Sequence, residues 1–167
     1  MNVLIRLERP GEEDEIAELI QAAFEELVYS SHTEHRIVDT LREAGQLTVS
    51  LVAIDDEDDI VGHVAASPVV ISDGSANWYG IGPVSVWPSC QGRGIGAKLM
   101  HEVLARLKEL GAAGCVVLGD PGFYSRFGFV PLTTLVLPGV EGDYFQVLAF
   151  GDQVPSGEVA YHPAFSA

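Results

Sequence analysis

Between residues 76 and 119 the chain reads "ANWYGIGPVSVW", then "PSCQGRGIGAKLM", then an amphipathic stretch, and finally "CVVLG". From Ile95 onward, Leu99, Val103, Leu107 and Leu110 recur at helical spacing, with Lys98, Glu102, Arg106 and Glu109 largely opposite and Gly111 as the stop. Residues 115–119 open on a continuous apolar run, the pattern of a strand covered on both faces. A strand, a helix and a covered strand in that order form a β-α-β crossover, which sets the two strands side by side and parallel. Pro83, with Gly80 and Gly82, interrupts the first of these strands, so a bulge or an edge is expected there.

The flanking sequence extends this unit into a mixed sheet. Residues 3–7 read as a strand, and Pro10 with the acids after it opens a helix carrying Ile16, Leu19, Ile20, Ala23, Phe24 and Leu27 at helical spacing. A second helix is expected over 34–44, with Ile37, Val38 and Leu41 inward. The β-branched runs 47–54 and 59–71, joined by "DDED", predict an antiparallel hairpin. "LTTLVLP" and "YFQVLAF" read as closing strands, and "GEVAYHPAF" as an extended tail without an evident partner. The expectation is a single α/β (α+β) domain over 1–167, since 167 residues suffice for one sizeable core and not for two.

Composition narrows the function. No segment approaches the ~20 apolar residues of a membrane span, and no basic leader precedes the first strand, so a cytoplasmic location is expected. Cys90 and Cys115 are too few for a disulfide framework or a thiolate metal centre. Nine Lys and Arg against 24 Asp and Glu leave a net charge of −15, which argues against nucleic acid as a partner. The acidity fits a solvated surface, a cationic substrate or a salty cytoplasm.

Three alternating glycines at a helix start suggest an anion site, because glycine lets a ligand approach the backbone and a helix N-terminus offers unpaired N–H groups. The P-loop spacing fails: Gly96 is followed by Ala97, Lys98 and Leu99, with no Gly-Lys pair and no hydroxyl for magnesium. Gly92, Gly94 and Ala97 satisfy a dinucleotide fingerprint, with Asp120 after the next strand, and this remains an alternative. Gln91-Gly92-Arg93-Gly94-Ile95-Gly96-Ala97 also fits the Q/R-x-x-G-x-G/A signature, and Tyr124–Phe129 fits Y-x-x-x-G-F.

With both motifs in this element order, the chain resembles the GCN5-related N-acetyltransferases, and in particular a bacterial and archaeal branch of that superfamily. The resemblance implies acetyl-CoA as acyl donor, no metal, and a central sheet splayed beside a bulged strand to admit the donor. It implies that Gln91, Gly92, Arg93, Gly94, Ile95, Gly96 and Ala97 hold the pyrophosphate, that Val84, Ser85 and Val86 bind the pantetheine arm through their backbone groups, and that Phe123 and Phe127 belong to the cofactor site. Tyr124 is implied as the general acid that protonates the departing sulfur; otherwise it packs beside Phe123, Phe127 and Phe129. The acceptor is an amine on a small molecule or a protein, the base is Glu25, Glu26, His63 or a water, and Tyr29, His32, Trp78 and Tyr79 line the acceptor pocket. A monomer or homodimer is expected. A non-catalytic acetyl-CoA-binding module stays open beside the enzyme.

Overall fold

The computed structural model describes residues 2–27 and 30–166. In chain order the elements are β1 (Leu4–Leu7), α1 (Glu13–Phe24), α2 (Glu34–Glu43), β2 (Val49–Ile54), β3 (Ile60–Pro68), β4 (Val70–Ile71), β5 (Trp78–Val86), α3 (Ile95–Glu109), β6 (Gly114–Leu118), α4 (Pro121–Tyr124), β7 (Leu135–Val136), β8 (Phe145–Ala149) and β9 (Gly157–Ala160). Six strands form the larger sheet in the order β1-β2-β3-β5-β6-β8. Every pairing in it is antiparallel except β5 with β6, the pair joined by the α3 crossover.

Helices cover both faces, which is why β2 and β3 are buried along nearly their whole length. On one face Ile16, Leu19, Ile20 and Val38 of α1 and α2 pack on Val52, Ile54 and Ala65. On the other, Leu99, Met100, Val103 and Leu107 of α3 pack on Leu51, Ala53, Val64 and Ala66. Each such side chain contributes about 1.5–3 kcal/mol when fully buried. Leu110, expected on the same stripe, is 58% exposed because it caps α3 after the last packed turn.

The bulge falls at the proline. β3 and β5 pair Ala66 with Ile81 and Val64 with Val84, so β5 carries one extra residue there, at the cis Gly82–Pro83 peptide. Pairing with β3 resumes as far as Val86 opposite Gly62, whereas β5 pairs with β6 only through Trp78–Gly114, Tyr79–Cys115 and Gly80–Val116. Beyond Gly80 the two parallel strands diverge. Leu118, expected to be covered, is 48% exposed at the open end of β6.

The hairpin strand expected over 59–71 splits at Pro68, and its last two residues form β4 in a second, three-stranded sheet ordered β4-β9-β7. The tail therefore has two partners: β9 is the central strand, antiparallel to β4 and parallel to β7. "LTTLVLP" contributes only the two residues of β7. This sheet packs Ile71, Leu135 and Val159 with Trp78, Val116 and Val147 on the face opposite α3.

Candidate active site

After β5 the chain makes a 3-10 turn over Pro88–Cys90, then turns twice through left-handed backbone at Gly92 (φ 79°) and Gly94 (φ 80°). A side chain at either position would strain the backbone by roughly 1–2 kcal/mol. Gly94 is the N-cap of α3, and no side chain caps it. The N–H groups of the first helical turn are therefore left without intrahelical partners, at the positive end of a 15-residue helix. The Gln91 amide donates to the Val86 carbonyl at 3.1 Å, which ties the loop to the end of β5. Arg93 is exposed and Ala97 half-buried, while the Ile95 side chain is 2% exposed and packs toward Gly62, leaving only its backbone at the loop surface. A Cβ at Gly96 would stand 3.6 Å from Phe123 Cζ and 3.9 Å from Val86 Cγ2, in the gap between α3, β5 and α4.

Across the open strands lies α4. The Asp120 carboxylate accepts from the Gly122 N–H at 2.9 Å and caps this helix, so it is not held out as a ribose ligand. With the mostly antiparallel sheet, that removes the dinucleotide alternative. Tyr124 packs edge-on against Phe123 (5.0 Å) and Phe129 (6.1 Å), and Phe123 likewise meets Phe127 (5.2 Å). A Cβ on Gly119 would lie 2.7 Å from Tyr124 Cε2, so the ring rests on the chain just beyond the splayed end of β6. Burial, reinforced by the Asp120 carboxylate, pushes the Tyr124 phenol up to about 12 and keeps it protonated. Val84, Val86, Phe123, Tyr124 and Phe127 all sit partly buried on the α3 face.

The other expected residues take several positions. Ser85 is 2% exposed and opposes His63, on the sheet face away from α3, so it offers the open edge only its backbone. Trp78 is 3% exposed and its ring closes over Gly114 in the core beside the second sheet, so it lines no pocket. Tyr79 is half-buried on the α3 face. Glu25 and Glu26 are exposed in the turn after α1, and the exposed His32 bonds through Nε2 to the Glu25 carbonyl at 3.1 Å. Tyr29 lies outside the described residues.

His63 is wholly buried, with Nε2 2.8 Å from the Ser50 hydroxyl, which in turn donates to Glu8. Around it stand Ser50 of β2, Ser85 of β5, the apolar Ile16, Leu19 and Ile20 of α1, and the Glu8–Arg42 ion pair (2.9 Å). Burial, helped by Arg42 and opposed by Glu8, lowers its pKa to about 4. The imidazole is therefore neutral at pH 7 and one strand away from the opening, which argues against it as the base. Unfolded, this group titrates near 6.5, so between pH 6.5 and about 4 the unfolded chain binds the extra proton and stability falls with acidification. We expect His63 to account for about 3 kcal/mol of acid destabilisation over that window. Denaturant melts of wild type and His63→Gln at pH 7, 5.5 and 4.5 check it, and the variant should lose that part of the slope.

The comparisons agree with this architecture. The sequence profile of the acetyltransferase (GNAT) domain matches residues 5–132. The uncharacterized N-acetyltransferase YhbS of Escherichia coli K12 is 39% identical over 171 residues, spanning 98% of this chain and 99% of that protein. Among solved structures, a GNAT family acetyltransferase of Brucella melitensis in complex with acetyl-CoA superposes with a TM-score of 0.86 at 50% identity, covering 98% of both chains. The E. coli YhbS structure in complex with CoA gives a TM-score of 0.89 at 39% identity, covering 100% of this chain and 93% of that one. With its profile match, this identity over the whole length and the splayed β5–β6 pair, the chain belongs to the GNAT family of N-acetyltransferases.

Proposed function

We propose that this protein transfers the acetyl group of acetyl-CoA to a primary amine, with Tyr124 as the general acid. The observation that carries the reading is the opening between β5 and β6, which has the uncapped start of α3 on one side and Tyr124 on the other. Past Gly80, the edges of both strands carry N–H and C=O groups that the sheet leaves unpaired between them, and the apolar Leu118 stands exposed. A pantetheine arm, with two amides along an aliphatic chain, matches that edge in hydrogen bonding and in apolarity. The N–H groups at the start of α3 match a pyrophosphate, and Arg93 adds a cation beside it in an acidic protein. The ligands in the relatives' crystals, acetyl-CoA and CoA, fit the same description.

Bound acetyl-CoA supplies an activated thioester, and the protein supplies position and a proton. Backbone of Val84 to Val86 holds the arm in register with β5 and offers N–H groups to the carbonyl oxygen as it gains charge. A neutral amine attacks the thioester carbon, a water takes the proton from the nitrogen, the C–S bond breaks as the Tyr124 hydroxyl protonates the departing sulfur, and the phenolate regains its proton from solvent. With its pKa raised, the Tyr124 phenol holds its proton throughout the neutral range and is present as the acid form when the thiolate leaves.

Calorimetry with acetyl-CoA, followed by CoA release with a panel of primary amines, tests the reading. The panel takes an aliphatic diamine, an amino sugar, a lysine peptide and a peptide α-amine. Binding with turnover supports transfer, binding without turnover on any of them reduces the protein to a binding module, and no binding sinks both. In the same assay Arg93→Ala should weaken acetyl-CoA several-fold and flatten its dependence on salt. Identical affinities across the salt series would leave Arg93 a surface residue.

A further inference from the structure

Tyr161 belongs to the tail that the sequence left without a role, and it lies outside the residues matched by the domain profile. The structure sets it at the apex of the opening. Gly80 is the last residue of β5 paired with β6. A Cβ there would stand 2.3 Å from Tyr161 Cε1 and 2.8 Å from Cδ1, so the absence of a side chain at Gly80 is what lets the ring lie flat on the strand. Gly80 and Trp78 point to the face carrying the second sheet, whereas Tyr79 and Tyr124 belong to the α3 face. Tyr161 and Tyr124 thus approach the same opening from opposite sides of the sheet.

The ring is held before any ligand arrives. β9 anchors the preceding residues between β4 and β7, and Phe165 packs on the ring at 5.0 Å. The His162 Nδ1 accepts from the Ala164 N–H at 3.0 Å, and the 3-10 turn Pro163–Ser166 packs against α2. The tail therefore runs from the second sheet across the end of the opening to the helices of the face opposite α3. Tyr161 is half-buried, and burial, then the Tyr124 phenol and the Cys115 thiol, push its pKa well up.

We propose that Tyr161 orients the acceptor amine, its phenol oxygen accepting a hydrogen bond from the amine N–H on the sheet face opposite Tyr124. This rests on the transfer reading above and assigns its second substrate a side. Donor and acid occupy the α3 face of the opening, and the nucleophile enters from the face built by α1, α2 and the tail. With one N–H directed at Tyr161, the nitrogen lone pair turns toward the thioester carbon. The phenol takes no proton in this role and stays neutral. An amine with an apolar chain suits the wall that Tyr161 and Phe165 present.

The test uses Tyr161→Phe, which keeps the ring on Gly80 and on Phe165 and removes only the hydroxyl. On whichever panel amine the wild type accepts, the variant should lower kcat/KM for the amine about tenfold, the worth of one hydrogen bond in a partly desolvated site. Its acetyl-CoA affinity and melting temperature should match wild type. Unchanged amine kinetics would overturn the proposal, and so would a parallel loss of acetyl-CoA affinity, which would assign the phenol to the donor. A second measurement needs no turnover. In protein labelled at tyrosine Cζ and bound to a thioether analogue of acetyl-CoA, n-butylamine should move the Tyr161 carbon resonance, identified by its absence in Tyr161→Phe. If wild type binds acetyl-CoA and acetylates nothing in the panel, the transfer reading fails by itself, and this resonance decides whether an amine meets Tyr161. A resonance that stays put overturns the assignment.

Discussion

Tyr124→Phe should lower turnover by roughly 10²- to 10⁴-fold while leaving acetyl-CoA affinity nearly unchanged. The ring makes its contacts to Phe123, Phe129 and the backbone at Gly119 through carbon, so the variant keeps them and loses only the proton donor. With the phenol pushed up to about 12, neither protein carries an ionisation at this residue between pH 6 and 9. The deficit should therefore be the same across that range, and the two pH–rate profiles should run parallel. A deficit that closes as the pH falls would mean that water delivers the proton in place of the protein. Equal turnover would return Tyr124 to a packing role.

Gly96→Val should weaken acetyl-CoA by roughly 10- to 100-fold, the loss of one or two charge-assisted hydrogen bonds, with little change in melting temperature. Gly96 lies in α3 with helical backbone, and a first carbon there meets Phe123 and Val86 at ordinary contact distance, so the backbone is unstrained and only the methyls beyond it crowd the gap. The larger side chain fills the gap between the start of α3 and the opening, where the donor must pass. Gly94→Val differs in kind: its left-handed backbone adds roughly 1–2 kcal/mol of strain, so affinity and stability should fall together. Calorimetry paired with thermal melts separates the two. A Gly96→Val protein with wild-type affinity would remove the helix start from the site.

Local signals carried much of this site. Pro83 inside a β-branched run announced a bulge because proline lacks the N–H that a ladder needs, and the bulge lies at that residue. The glycines announced their turns because left-handed backbone excludes other residues, as at Gly92 and Gly94. Where sequence reading failed, the deciding contact was remote. "GEVAYHPAF" has only one residue, Val159, that the small sheet buries along β9, and its partners are 70–71 and 135–136. Nothing within a nine-residue window reports such pairing. The resemblance implies Trp78 at the acceptor pocket, but period-2 alternation together with the extra residue at the bulge turns its side chain into the core beside the second sheet. The one available signal for Tyr161 was Gly80: a glycine in a strand marks a close approach, and the approaching group was the tail.

The central place of β9 in the second sheet also sets an order of assembly. All six strands of the larger sheet, with α3 and α4 between them, precede residue 150 in the chain, so the larger sheet can pair before β9 reaches its place in the second. β4 must then wait across some 85 residues for its partner, the kind of distant pairing that folds late. A chain halted at residue 150 would possess the glycine loop and Tyr124 yet lack β9, the central strand of the second sheet, and Tyr161.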